Sequence, residues 1–480
     1  MKKLLLAVLL CLCLAINSSA IAPPILLMFA DGEIAASCYS DDFTGTNDDP
    51  PDEFKWTSQV STGAGNESTG SGAITIQGNT LNILSTTPTS DDWANVVSNI
   101  DYSGDFDVQV DFDITTCTEP ASSENKCARL IFYDGTISIE IARFEGASAY
   151  HGFGIFGTSD SWTPVVETET SGKLRLTRSG STLKAYYWDT GDTQWEWGGS
   201  TSGYTFTTTS SSNGQIYFGS KTESTESMDV DFDNFTTTSG TCAVVNYLAY
   251  ANAQGAWYMN NNGGSEVDRT TAGTETLTDG GDPETSSNVP PGYSGTSRNI
   301  LSSGPDVLYH ATDGNTDITG TALTLAGWIN VDTDEGIMHF IDKWEYNGGS
   351  PVERQYALYI NAADKFMCSM SSDGTTYTSA TNATSFSLDT WMHVACVYNG
   401  TDIRIYINGQ MDWNSTDNPK AYTTAIPAKD EYFRIGADSD GSAPFNGHID
   451  EVIVLDIASL WWEIGRFYAR GIDGTRGGND

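Results

Sequence analysis

Apolar and polar residues alternate along most of this chain. Val108, Val110, Phe112 and Ile114 interleave with Asp107, Gln109, Asp111 and Asp113. Successive side chains of a strand point to opposite faces, so this stretch predicts one buried face and one wetted face. Residues 173–178 and 183–188 keep the same period and are joined by Ser179-Gly-Ser-Thr182, which predicts a hairpin. Similar runs begin at Ala73, Thr80, Ala128, Ser138, Gly152, Gln215 and Met228, with Gly, Asn, Asp, Ser and Thr between them. A second series begins at Ala256, Val307, Thr321, Gly336, Gln355, Lys365, Trp391, Ile403, Tyr432 and Gly447. Residues 260–291 have little periodicity and predict a loop. One helix is expected, at the C-terminal end: Ser459 is its candidate N-cap, and Ile464, Phe467 and Tyr468 share a face.

The two series repeat one another. Asn399-Gly-Thr-Asp-Ile-Arg-Ile-Tyr406 echoes Ser179-Gly-Ser-Thr-Leu-Lys-Ala-Tyr186, an offset of 220 residues (399 − 179). Phe433-Arg-Ile-Gly436 echoes Ile216-Tyr-Phe-Gly219, and Ile449-Asp-Glu-Val452 echoes Phe232-Asp-Asn-Phe235, both at 217 (436 − 219 and 449 − 232). Leu325–Val331 echoes Asp107–Asp113 at 218 (325 − 107). The period is too long for a solenoid and predicts two copies of one domain. The expected organisation is a signal peptide at 1–20, a linker at 21–40 and β domains at 41–240 and 241–480.

Composition narrows the partners. With 23 Lys and Arg against 63 Asp and Glu, the net charge is −40. Such a surface repels nucleic acid and anionic lipid, and attracts divalent cations and basic surfaces. Met1-Lys-Lys followed by apolar residues 4–16 reads as a secretory signal, with Ser18-Ser-Ala20 at the cleavage point. A second apolar stretch, 21–30, is broken by Pro23-Pro24; kept uncleaved, residues 4–30 would be a membrane anchor. The expected location is therefore outside the cell, secreted or on its surface. Asn66, Asn234, Asn382, Asn399 and Asn414 head glycosylation sequons.

Six cysteines follow the signal, and an even number in an exported chain predicts disulfides. Cys117 and Cys127 flank a polar loop and would close it. Cys38 and Cys242 lie just outside the two ends of the first domain and would staple it shut. Cys368 and Cys396 sit in two strands of the second domain, either paired across the sheet or as two buried thiols.

These residues resemble the concanavalin A-like lectin/glucanase superfamily, and the C-terminal half resembles a laminin-G-like jelly roll. The likeness rests on Leu325-Ala-Gly-Trp-Ile-Asn-Val331, Trp391-Met-His-Val-Ala395 running into Tyr398-Asn-Gly400, Ile405-Tyr-Ile-Asn-Gly409, and Phe445–Val452 with the helix after it. Asp42-Phe-Thr-Gly45, Leu174–Gly180 and Val230–Phe235 carry a more distant likeness in the first half. The resemblance implies an all-β fold of two tandem antiparallel β-sandwich jelly rolls with a short C-terminal helix. It also implies a structural calcium ion, held by Asp42 and Gly45 with the side chain of Asp233, and by Asp450 in the second copy. Oxygen donors of that kind suit hard Ca²⁺.

The resemblance further implies binding of glycans or proteins. Sugars are held by aromatic faces and planar polar groups. Trp162, Trp195, Trp197, Trp344 and Trp413 lie in polar contexts, and Trp195, Trp197, Trp344 and Trp413 are the candidate sugar contacts. Trp328 and Trp391 are expected in the core. Glucanases of this fold set a Glu-x-Asp-x-x-Glu arrangement on one strand. The sequence has no such set and no serine-nucleophile elbow. The expected function is a secreted, non-catalytic carbohydrate-binding or adhesion protein whose partner is an extracellular glycan or glycoprotein. A structural or protein-recognition module of a cell surface or virion is the alternative, and a glycan hydrolase stands behind both.

Overall fold

The structure, a computed structural model, describes residues 27–473 apart from internal segments, the longest being 62–71, 86–92, 158–164, 197–205 and 346–352. The described strands form four antiparallel sheets, stacked in pairs as two sandwiches. Each sandwich closes over its own apolar core. Val108, Val110, Phe112, Leu130, Phe132 and Phe232 sit in the first, and Leu325, Ile329, Phe340, Leu358, Phe366 and Ile449 in the second.

The two copies share their strand order. One sheet of the first sandwich runs Val165–Val166, Tyr150–Gly157, Ser138–Gly146, Glu124–Tyr133, Gln215–Lys221, Trp93–Ser98, Trp56–Ser61. Its counterpart runs Tyr377–Ser385, Lys365–Ser371, Arg354–Ile360, Met338–Trp344, Phe433–Ile435, Val307–His310, Thr278–Gly280. The facing sheet places Thr80–Ser85, Met228–Val244, Asp101–Cys117, Ser171–Ser179 and Thr182–Asp189 side by side. Ser297–Ile300, Gly447–Leu455, Leu323–Val331, Trp391–Tyr398 and Asp402–Ile407 repeat that order.

Register matches too. Phe232 faces Phe112, and Ile449 faces Ile329. Just beyond, each closing strand bulges at a residue with positive φ, Asn234 (49°) and Glu451 (47°). Phe43 and Met259, one at the start of each copy, also hold positive φ with their side chains buried.

Several boundaries differ from the sequence reading. Trp56–Ser61, Trp93–Ser98 and Tyr377–Ser385 are strands with no counterpart in the predicted series. Their patterns are polar or interrupted: Asn95 and Ser98 are buried polar residues inside Trp93–Ser98. Residues 260–291 contain two short strands, Thr278–Gly280 and Glu284–Ser286. Residues 34–36, which the sequence places in a linker, pair with Cys242–Val244 in the first sandwich. The closing strand thus continues to Val244, past the expected boundary at 240. Residues 1–26 lie outside the described residues.

All three disulfides form: Cys38–Cys242, Cys117–Cys127 and Cys368–Cys396. The third joins the two facing sheets through the core instead of two strands of one sheet.

The helix, Trp461–Arg470, starts after Leu460. Ser459 does not cap it; the Glu463 carboxylate accepts the Leu460 N–H at 2.7 Å. Ile464 and Phe467 pack on Ala326, Ala395 and Tyr406 of the second sandwich. The other side of the helix meets the first sandwich. A Cβ added to Gly465 would sit 2.5 Å from Thr57, and Arg466 pairs with Asp101. The Trp462 ring lies 6.3 Å from those of Tyr133 and Tyr217. The helix therefore wedges the two sandwiches together, beside a cavity of about 170 Å³ lined by Trp56, Thr57, Gln410 and Tyr468.

Candidate functional site

A pocket opens on the outer face of the second sandwich, on the sheet that contains Met338–Trp344. A bulge builds it. Register slips between His339 and Ile341, so Phe340 and Ile341 both enter the core. His339 and Asp342, three residues apart, therefore end on one outward face, where a regular strand would separate them. His339 Nδ1 lies 2.6 Å from Asp342 Oδ2, and Asp342 Oδ1 accepts the Trp344 N–H at 2.9 Å. Burial pushes the Asp342 carboxyl above its ordinary pKa, and His339 pulls it back.

The pocket holds about 150 Å³ and is lined by Ile337, His339, Trp344, Arg354, Tyr359 and Tyr377. The imidazole of His339 stacks on Tyr359 at 4.6 Å. Trp344 and Tyr377 meet edge to face at 5.2 Å. The Arg354 guanidinium lies 5.5 Å from the Trp344 ring and 5.6 Å from the Tyr377 ring. Its Nε donates to the Glu345 carbonyl at 2.9 Å, which fixes the plane of the group. Tyr377 is 52% exposed and forms the rim. Two aromatic walls and a planar donor around a small space suit one ring of a hydroxyl-bearing ligand. Among the described residues the lining holds no carboxylate.

Of the four tryptophans predicted to touch sugar, Trp344 lines this pocket. Trp195 lies in the first sandwich, 5.3 Å from Trp188 and with the Arg175 guanidinium 5.3 Å above it. Trp413 packs beside the cluster under the helix. Trp197 and Trp162 lie outside the described residues. The described candidates are thus not gathered at one place. His339, Arg354, Tyr359 and Tyr377 were absent from the sequence prediction. The bulge hides His339 and Asp342 from any period-two pattern, while Tyr359 and Tyr377 look like ordinary strand aromatics.

Of the two tryptophans expected in the core, Trp328 is buried, on the helix side of its strand, whereas Trp391 is only half-buried. Trp328 is sandwiched by His393 and Tyr468 beneath the helix, and its Nε1 donates to the Tyr293 hydroxyl at 3.1 Å. Trp391 is half-buried, with its Nε1 donating to Asn288 Oδ1 at 2.9 Å.

The expected calcium ligands fall as follows. Asp42 is exposed, and the Thr44 N–H and hydroxyl hold its pKa below the usual carboxylate value. Burial first, then the Asp111 and Asp42 carboxylates, push Asp233 up. Asn234 Nδ2 bridges Asp233 and Asp111 at 3.1 and 3.2 Å, and Lys173 pairs with Asp111 at 2.8 Å. Gly45 is exposed beside Ile76. Asp450 is buried opposite Trp328; burial, then Glu451, push its pKa well up. Among the described residues no three His, Cys, Asp or Glu side chains converge to hold a metal ion.

A family comparison covers part of the second sandwich. Residues 307–465 match the concanavalin A-like lectin/glucanases superfamily through its Laminin_G_3 model. The laminin-G-like match spans the pocket strands, the long strands Leu323–Val331, Trp391–Tyr398 and Gly447–Leu455, and the first half of the helix. No curated protein matches the chain. Among solved structures the chain is similar to domain 4 of an extracellular arabinanase from Geobacillus stearothermophilus, in complex with arabinotriose. That likeness has 16% identity and a TM-score of 0.32 over 44% of this chain and 96% of that one. It is also similar to the receptor binding domain of botulinum neurotoxin mosaic serotype C/D (12%, 0.34, 47% and 51%). A Trypanosoma rangeli sialidase is a third (10%, 0.34, 83% and 83%). At such identities and TM-scores the likenesses carry no functional argument.

Proposed function

We propose that this is an exported, non-catalytic carbohydrate-binding protein that uses the Trp344 pocket to hold a sugar ring of an extracellular glycan, in adhesion or capture. The observation that carries the reading is the lining: Trp344, Tyr377, Tyr359 and Arg354 converge on one small space without a carboxylate. Aromatic faces stack on the apolar face of a sugar, and the guanidinium donates to its oxygens. A glycan array probed with the purified chain tests it. Tyr377→Ala and Trp344→Ala are expected to weaken any hit by roughly tenfold or more. Tyr377→Ala should leave thermal unfolding almost unchanged, because the ring is exposed. An array blank with and without calcium sinks the reading and favours a structural or protein-recognition module.

We also propose calcium near Asp42 and Asp233, where burial and then the Asp111 and Asp42 carboxylates raise the pKa of Asp233 and a cation would relieve it. A melting temperature unmoved by chelator, or by added calcium after chelation, removes this part.

A further inference from the structure

The sheet that carries the Trp344 pocket continues past it on the side away from Tyr377. There the strands Phe433–Ile435 and Val307–His310 follow Met338–Trp344 in order. Arg434 faces Tyr309 on one side and Asp342 on the other. Leu308, Phe433 and Ile435 fill the core, so alternation turns Tyr309 and Arg434 to the outer face. Tyr432, two residues before Arg434, comes out on that face beside Trp344. The rings of Tyr309 and Tyr432 lie 11° from parallel with centroids 6.0 Å apart. Tyr432 is 39% exposed, and Tyr309 is partly exposed.

The first copy shows the same patch when it is covered. Tyr217, between Val97 and Ile131, stands where Arg434 stands. Gln215, opposite Tyr133, stands where Tyr432 stands beside Trp344. The Trp462 indole of the helix is set edge-on against Tyr133 and Tyr217, 6.3 Å from each ring, and Val97 and Tyr217 are buried. This stretch of sheet therefore receives a flat ring, and in the first copy the chain supplies it. In the second copy the helix packs on the opposite sheet, against Ala326, Ala395 and Tyr406, and Tyr432 is left exposed.

The patch brings no net charge of its own. Arg434 donates to Glu431 at 2.7 Å and stands 5.3 Å from the Tyr432 ring. Aromatic faces whose only cation is already matched suit the apolar faces of neutral sugar rings. Tyr309 and Trp344 are two strands apart, about 10 Å, more than one ring covers. We propose that Tyr309 and Tyr432 form a second subsite continuous with the Trp344 pocket, and that the ligand is a neutral glycan chain and not a single sugar. One ring enters the pocket, and the next rings of the same chain lie against the two tyrosines, across the strands. The inference rests on the reading of the pocket as a sugar site and adds to it the length and charge of the ligand.

The test is calorimetric titration of the full chain with short and long neutral oligomers, the disaccharides and hexasaccharides of β-1,4-xylan, β-1,4-mannan and β-1,3-glucan. The variants are Tyr309→Ala with Tyr432→Ala, and Trp344→Ala separately, each with its melting temperature. At least one hexasaccharide is expected to bind the parent roughly tenfold tighter than its disaccharide. The double tyrosine variant should lose that gain and keep the disaccharide affinity, whereas Trp344→Ala should weaken both. A tyrosine variant that keeps the full gain, or a parent with no gain, overturns the subsite; a Trp344→Ala loss then leaves the pocket standing. Binding that Trp344→Ala does not touch overturns the pocket reading and this inference together. A parent that binds none of these sugars overturns both as well, and leaves the patch to an aromatic side chain of a protein. If the double variant does not fold, Tyr432→Ala decides by the same outcomes, since its ring is exposed.

Discussion

The same sheet face serves opposite purposes in the two copies. In the first, Gln109, Arg175 and Tyr186 lie side by side. Arg175 grips Asp107 through Nε at 2.8 Å and lies 5.3 Å from the Trp195 ring. In the second, the equivalent residues are Ala326, Ala395 and Tyr406. One row on, Asp233, Asp111 and Lys173 are matched by Asp450, Trp328 and His393. Two alanines leave the space that Ile464 and Phe467 of the helix fill. An arginine held by an aspartate needs its water, and no described helix covers it. One backbone thus makes a wetted face or a docking face, and side-chain volume and charge choose between them.

Exchanging residues between the copies breaks this contrast most sharply. Ala395→Arg should cost about 4 kcal/mol or more, because it drives a charged group under the helix. The reverse change, Arg175→Ala, should cost about 1 kcal/mol, the value of a half-exposed pair. Equilibrium unfolding of both variants decides; equal costs would dissolve the distinction.

A smaller effect comes from the matching bulges. Asn234 does not titrate, whereas burial and then Asp473 push the Glu451 carboxyl up to about 8. The folded state holds that proton more tightly than the unfolded chain. Its contribution is complete below about 4.5 and is lost as pH climbs through about 8. Unfolding free energy should therefore fall by roughly 4 kcal/mol between pH 5 and pH 9. Glu451→Gln should flatten most of that slope. A parent chain equally stable at both ends refutes it. The least effect is expected from Lys173→Ala, under about 1 kcal/mol and shrinking further in high salt, because the pair with Asp111 is exposed. A larger, salt-independent loss would show that the first face is covered after all.

Much of the fold was legible because one face of many strands is wet. Val108 to Ile114 alternate visibly, and the repeat that links Phe232 to Ile449 places them at equivalent positions of the closing strands of the two sandwiches. Where both faces are buried the alternation vanishes. Leu323–Val331 and Gly447–Leu455 are buried throughout, so the sequence cannot say that Trp328 turns toward the helix and not the other sheet. Trp391 was misplaced for the same reason. The pocket was half legible: Trp344 stood out as an aromatic in polar company, but a bulge brought His339 and Asp342 to its side.

By itself the sequence determined a duplicated β chain with many of its strands, an even set of cysteines and its acid charge. Those follow from local period and repetition, which any stretch of chain carries within itself. Tertiary structure alone decided which face of each doubly buried strand looks outward, what the helix covers, and which aromatics share a pocket. Those depend on bulges and on packing between segments hundreds of residues apart, and no local pattern encodes them.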